Sequence, residues 1–229
     1  MRIFIYVIFV SLSIMNVLKR NDFVDIEFVA KIKSSGQIFD LTDEKLAKEV
    51  GIYDKNYPYG PKTICVGQKF VIKGLDESLI GKEVGASYII EINFKDAFGS
   101  KHKELIQVMP LSDLHDQKIK PFVGLKLQNN YGMTGNVRSV AGGRVLVDFN
   151  HPLVEKDLVY EVKILSLVTD PEKKMKSLLF YGLGLSHQYE LKIDGNKRIL
   201  KLNFEIPIKV VDNFKKLVKV VIPEIELEI

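Results

Sequence analysis

The chain has 229 residues, 46% hydrophobic and 10% aromatic, enough for one large or two to three small domains and too apolar for disorder. Its net charge of +4 is spread without a run of five basic residues, which argues against nucleic-acid binding. The lone Cys65 excludes an intramolecular disulfide and any multi-cysteine metal site, as a reducing compartment would allow, and the four histidines lack ligand spacing, so neither metal nor cofactor is expected.

Residues 1–16 stand apart. Arg2 precedes an apolar run from Ile3 to Val10 that continues through Met15. Three readings stay open: a secretory signal with a poor cleavage site, a membrane anchor shorter than the roughly 20 residues a bilayer asks for, or an over-extended start with translation from Met15. The last implies a cytoplasmic protein; the others imply export or membrane attachment.

From Phe23 to Lys33 apolar and charged residues alternate as in a half-buried strand, and Ser34-Ser35-Gly36 turns the chain into a return strand over 37–40. Thr42 reads as the N-cap of a helix that stops at Gly51. A loop rich in Tyr, Pro and Gly spans 53–61, followed by a strand over 62–66. In the stretch VGQKFVIKGLDESLIGKEVG, Leu75, Leu79 and Ile80 recur at helical spacing, with Asp76 and Glu77 in the first turn and Gly81 at the stop. A strand over 87–94 and a loop over 95–100 follow.

Beyond Ser100 the pattern changes. A short strand at 105–109 ends at Pro110, the segment 111–117 is polar, and a three-strand meander occupies 125–128, 133–140 and 144–149, with turns at Asn129–Gly132 and Ala141–Gly143. Leu158 to Val168 alternates strictly as a strand. Asp170-Pro171 marks a helix start, with Met175, Leu178 and Leu179 on one face and an end at Gly182. Strands at 189–193 and 198–206 flank the Asp194-Gly195-Asn196 turn, Asp212 reads as the cap of a second helix, and 225–229 closes as a strand.

No catalytic triad, phosphate loop or dinucleotide fingerprint is present, and Gly182-Leu183-Gly184 lacks the context of one. What remains is aromatic residues and one carboxylate at strand ends. The motifs SSGQIFD, VGQKFVIKGLDESLIGKEVG and KDAFG, in this order over 22–99 and resuming at 157–168, resemble the signatures of FKBP-type peptidyl-prolyl isomerases. The segment ending VLVDFNHPL is similar to the insert-in-flap domain of the SlyD-like and long archaeal members.

The resemblance implies an α+β fold: a bent antiparallel sheet wrapped around a short helix, with an inserted small β domain and a C-terminal α/β domain. The boundaries are an apolar N-terminal segment at 1–16, an isomerase domain at 17–100 and 152–169, an insert at 101–151, and a C-terminal domain at 170–229 that could pair two copies as a homodimer. Phe39, Ile72, Phe98 and Tyr160 should form the catalytic pocket with Asp40 at its edge, and Phe28, Val71 and Leu75 should contact substrate. The backbone N–H of Ile72 should donate to a bound carbonyl. Leu75 stands where the family often has tryptophan, and Phe28 and Phe98 stand where tyrosines are common, so Phe98 cannot donate a hydrogen bond and Phe28 cannot orient Asp40.

The insert carries Met109, Leu111, Phe122, Val123, Leu125 and Met133, more apolar side chains than short strands can bury, which suits capture of unfolded chain. The expected partners are unfolded or proline-containing polypeptides, and a membrane only if 1–16 is an anchor. The expected function is X-Pro isomerisation with chaperone activity from the insert; the alternative is a holdase with little or no isomerase activity.

Overall fold

The computed structural model describes residues 16–187, 189–195 and 197–229, with backbone only for Ile193 and Asp194. The three readings of the apolar N-terminal run therefore lie outside the described residues, apart from Asn16. Among the described residues no helix is long and apolar enough to cross a membrane. The architecture is mixed α+β, with few helices on mainly antiparallel sheets.

Strand β1 (Phe23–Ile32) is the spine of the first sheet. Its period-two pattern buries Val24, Ile26, Phe28, Ala30 and Ile32. One edge of β1 is shared in succession by β3 (Lys62–Cys65) along its first half and β2 (Ile38–Leu41) along its second. The other edge carries β9 (Leu158–Leu167), which in turn pairs with β4 (Ser87–Ile92), and every pairing is antiparallel. Because β2 ends beside the middle of β1, Asp40 lies opposite Ala30, whose other neighbour is Tyr160.

Helix α1 (Glu44–Glu49) is capped by Asp43, whose carboxylate accepts from the N–H groups of Lys45 and Leu46. Thr42 was the expected cap; instead it is buried, and its hydroxyl oxygen accepts from Phe28 N–H at 2.9 Å. A hydroxyl already committed to the sheet cannot also cap a helix.

Helix α2 (Lys73–Leu79) packs Leu75 and Leu79 into the core of this sheet. Gly74 permits the approach, since a Cβ there would lie 2.4 Å from Ile92 Cγ2. Asp76 is buried and does more than suit the helix dipole. Its two oxygens accept from Gly67 N–H and Lys69 N–H, each at 2.8 Å, and so pin the turn that leads into the helix.

The second sheet has the order β5-β8-β7-β6, built from β5 (Ile106–Pro110), β6 (Lys126–Gln128), β7 (Thr134–Ala141) and β8 (Arg144–Asp148). It has its own core around Leu114, Leu127, Val137, Val145, Val147 and Phe149. The segment expected to be merely polar forms α3 (Leu111–Asp116), a turn and a half too short to show a helical period, which buries Leu114. The two crossings into this sheet are tied together: His102 N–H donates to Asn150 Oδ1 and Asn150 Nδ2 donates back to His102 O.

The last stretch comprises α4 (Pro171–Leu183), β10 (Tyr189–Asp194), β11 (Lys197–Leu202), α5 (Ile208–Val221) and β12 (Glu226–Glu228). Asp170 caps α4 as its sequence signature predicts. The helix runs past the expected stop at Gly182 and ends at Gly184 in a left-handed C-cap. Gly182 instead lies against α5, where a Cβ would meet the Phe214 ring at 3.0 Å. Helix α5 begins after Pro207, a turn before the expected cap Asp212, because Pro207 sets the helix entry. Strand β11 ends at Leu202, short of 206, and β12 lies parallel to it across the α5 connection.

This unit does not have a core to itself. Phe23 and Cys65, from β1 and β3, belong to the same buried cluster as Met175, Leu178, Leu179, Phe214 and Val218. Polar links reinforce the contact: Ser177 Oγ donates to Thr63 O at 2.6 Å, and Lys173 Nζ reaches Asp25 Oδ2 at 2.6 Å.

Candidate active site

Between β2, the turn before α2, the strand end at Tyr160 and helix α4 lies a cavity of about 950 Å³. Phe28, Phe39, Asp40, Val71, Ile72, Phe98 and Tyr160 all line it. The Tyr160 ring contacts two other rings of the lining. Phe28 packs against it at 5.6 Å between centroids and Phe39 meets it edge-on at 6.2 Å.

Leu75 is the exception and a correction. It has no exposed surface and does not reach the cavity. Helix α2 starts only at Lys73, so its first full turn aims Leu75 inward, and the residues facing the cavity are those before it: Phe70, Val71 and Ile72. Among the described residues nothing accepts a hydrogen bond from the Ile72 N–H, which sits at the uncapped start of α2. This is a donor in need of an acceptor.

Asp40 is not left unoriented by the phenylalanine at position 28. Tyr57, in the loop rich in Tyr and Pro, donates its hydroxyl to Asp40 Oδ1 at 3.0 Å. Lys62 holds the Tyr57 ring from above, its Nζ 4.5 Å from the centroid, and also donates to Pro58 O. Burial raises the Asp40 carboxyl above the ordinary aspartate value, and the Tyr57 hydroxyl and the Leu41 N–H pull it part of the way back. The same burial, with the Asp40 charge adding to it, pushes the phenols of Tyr57 and Tyr160 well up, so both remain proton donors. Among the described residues no group hydrogen-bonds the Tyr160 hydroxyl.

Phe98 lacks a hydroxyl, as the sequence shows, but its ring is fixed: it stacks on His151 at 4.2 Å with the planes 3° apart. The His151 Nδ1 accepts from Leu153 N–H at 3.2 Å, and burial lowers its affinity for a proton. Phe98 and His151 stand on opposite sides of the inserted sheet in sequence, so the stack closes the base of the insertion.

Twelve lining residues escaped sequence reasoning, and five of them bring rings to the wall: Tyr57, Phe70, His151, Phe180 and Tyr181. The aromatic density of the 53–61 loop was a usable signal for Tyr57. For Tyr181, which stacks on Phe70 at 4.7 Å across more than a hundred residues of chain, there was none.

The six residues expected on the insert do not behave alike. Met109, Leu111 and Leu125 are half-buried against its core, because a sheet this small uses them to close its own edges. Phe122, Val123 and Met133 are exposed, joined by Val108 and by Tyr131, which is 87% exposed. None of them lines the cavity. Another depression, of about 860 Å³, runs past Glu27, Glu44, Glu161 and Lys163 but does not include Asp40. Among the described residues no group of three or more His, Cys, Asp or Glu could hold a metal ion.

Comparison with known proteins points to one family. The family described as "FKBP26, IF domain" matches residues 107–153. A short-type peptidyl-prolyl cis-trans isomerase of Methanocaldococcus jannaschii is 30% identical over 149 residues, covering 65% of this chain and 93% of that protein. A probable FKBP-type 16 kDa peptidyl-prolyl cis-trans isomerase of Pseudomonas fluorescens is 26% identical, over 50% of this chain and 77% of its own length. The FKBP-type isomerase SlyD of Treponema pallidum is 27% identical, over 56% of this chain and 74% of its own. By this similarity the chain belongs to the FKBP-type peptidyl-prolyl cis-trans isomerases.

Proposed function

We propose that this protein accelerates rotation about X-Pro bonds in unfolded or partly folded polypeptides, using the cavity around Tyr160 as its catalytic site. The observation that carries the reading is the convergence, in one apolar hollow, of Asp40 held by Tyr57 and of the unpaired Ile72 N–H. Amide resonance sets a rotational barrier of about 20 kcal/mol. In the planar ground state the carbonyl is strongly polarised; in the twisted state nitrogen keeps its lone pair and charge separation falls. An apolar wall that strips water from the amide therefore disfavours the planar form relative to the twisted one. Ile72 N–H would hold the carbonyl of the flanking residue, Tyr160 OH would supply the donor that Phe98 lacks, and Asp40 would set the electrostatics at the rim. No nucleophile is needed.

In this reading residues 17–100 and 152–169 are the isomerase domain, a bent sheet wrapped around α2. Residues 101–151 are an insert that captures unfolded segments on Phe122, Val123, Tyr131 and Met133. Residues 170–229 are a C-terminal α/β domain. The exposed aromatic surface of the insert also favours a second reading, a holdase with little isomerase activity. A proline-limited refolding assay separates the two. The wild-type chain should speed the slow phase, and Asp40→Ala should cut kcat/KM about tenfold, a loss of about 1.4 kcal/mol in transition-state stabilisation. A refolding rate equal to buffer alone would leave only the holdase.

A further inference from the structure

We propose that the polypeptide groove does not end at the isomerase cavity but continues over helix α4, so that the C-terminal unit supplies a subsite for residues flanking the proline. The inference rests on the isomerase reading of the cavity and extends it. A second hollow, of about 480 Å³, lies alongside the first and shares Pro58, Lys62, Phe180 and Tyr181 with it. Two of these four residues come from α4. Tyr181 is fixed by stacking on Phe70 and burial pushes its phenol up to about 12, so it stays neutral. Phe180, at the boundary between the hollows, is 42% exposed, an apolar side chain placed where an extended chain leaving the cavity would cross it.

The walls beyond that boundary specify the occupant. Tyr59, Pro61, Leu185 and Tyr189 give an apolar lining, while among the described residues Lys62, Lys173, Lys176 and His187 are the ionisable side chains facing it besides tyrosines, and no carboxylate lines it. The acidic partners of two lysines sit outside: Asp25 holds Lys173 and Glu172 holds Lys176. The Lys176–Glu172 pair is exposed on one face of α4, and such a pair exchanges partners at little cost. The chemistry therefore fits an extended segment with an apolar side chain against Phe180 and a carboxylate beside Lys176. Helix α4 is anchored to hold this wall, through Ser177 to Thr63 O and through Lys173 to Asp25.

The test compares a tetrapeptide containing one X-Pro bond with peptides of roughly ten residues, about 33 Å when extended, carrying either glutamates or lysines on one side of the proline. The full chain is used, and each result is a ratio of kcat/KM values within one sample, so a partly folded variant does not distort it. The wild type should prefer the glutamate peptide about threefold to fivefold, for flanks on one side of the proline. Lys176→Glu should invert that preference. Phe180→Ala should lower the ratio of the long peptide to the tetrapeptide. A glutamate-to-lysine ratio near one in the wild type, or one unmoved by Lys176→Glu, overturns the subsite while the tetrapeptide is still turned over. Failure to turn over the tetrapeptide removes the isomerase reading itself, and the subsite with it. If Phe180→Ala changes the sedimentation mass and not the peptide ratio, the face belongs to a second copy of the chain and the proposal falls.

Discussion

The first sheet and the inserted sheet are both antiparallel layers, the first with α2 and the second with α3 packed into its core, yet they dispose of surplus apolar surface in opposite ways. The first turns its surplus inward around Tyr160, leaving a hollow with one carboxylate at its wall. The second closes a small core and leaves Phe122, Val123 and Tyr131 in solvent. A concave hollow walled by fixed rings holds its geometry and can distinguish two conformers of one bond. An exposed surface can only lower the free energy of whatever apolar chain meets it. On the proposed reading, selectivity for a conformer would belong to the first region and breadth to the second.

The contrast is broken most severely by Leu75→Ala. This side chain has no exposed surface under the turn that presents Val71 and Ile72, so its removal should cost about 3 kcal/mol in urea unfolding and disturb the cavity without touching the insert. Next is Tyr57→Phe, which leaves Asp40 buried without its donor. The carboxyl, already raised by burial, should rise further, so the acid limb of kcat/KM moves to higher pH and activity near that limb falls about fivefold. A limb that stays in place would show that Tyr57 merely fills the loop.

Asp40→Asn gives a smaller effect with a definite sign. Because the folded-state proton affinity of Asp40 is raised, the stability tied to it is present at pH below the ordinary aspartate value and fades as pH rises through the folded one. The variant should therefore be slightly more stable than the parent at pH 7, by less than about 1 kcal/mol, and lose that advantage in acid. Smallest in stability is the pair Phe122→Ser and Val123→Ser, expected to leave unfolding within about 0.5 kcal/mol of the parent. Suppression of client aggregation should nonetheless drop, while tetrapeptide turnover holds. Loss of turnover in that variant would mean the two regions are not separate in function.

Alternation made β1 and β9 readable from sequence, and Asp170-Pro171 marked the start of α4 to the residue. Short elements were not: α3 offers no full period, and capping shifted from Thr42 to Asp43 because a hydroxyl was claimed by the sheet. At the cavity Phe39, Asp40, Ile72 and Tyr160 were named through the resemblance of their segments to the FKBP-type motifs, not through spacing. Phe180 and Tyr181 were not, since what brings them there is packing between distant segments, for which one sequence carries no local sign; Tyr57 had only the aromatic density of its loop to mark it.

The sharing of Phe23 and Cys65 between the first sheet and the core beneath α4 has a calorimetric consequence. Two bodies that bury the same side chains cannot melt apart without exposing them, so the catalytic sheet and the last sixty or so residues should give one endotherm. The insert, tied on through the Asn150–His102 pair and filled by its own residues, is free to melt separately. If the insert captures clients as proposed, mild heating would silence that capture first and leave prolyl isomerisation behind.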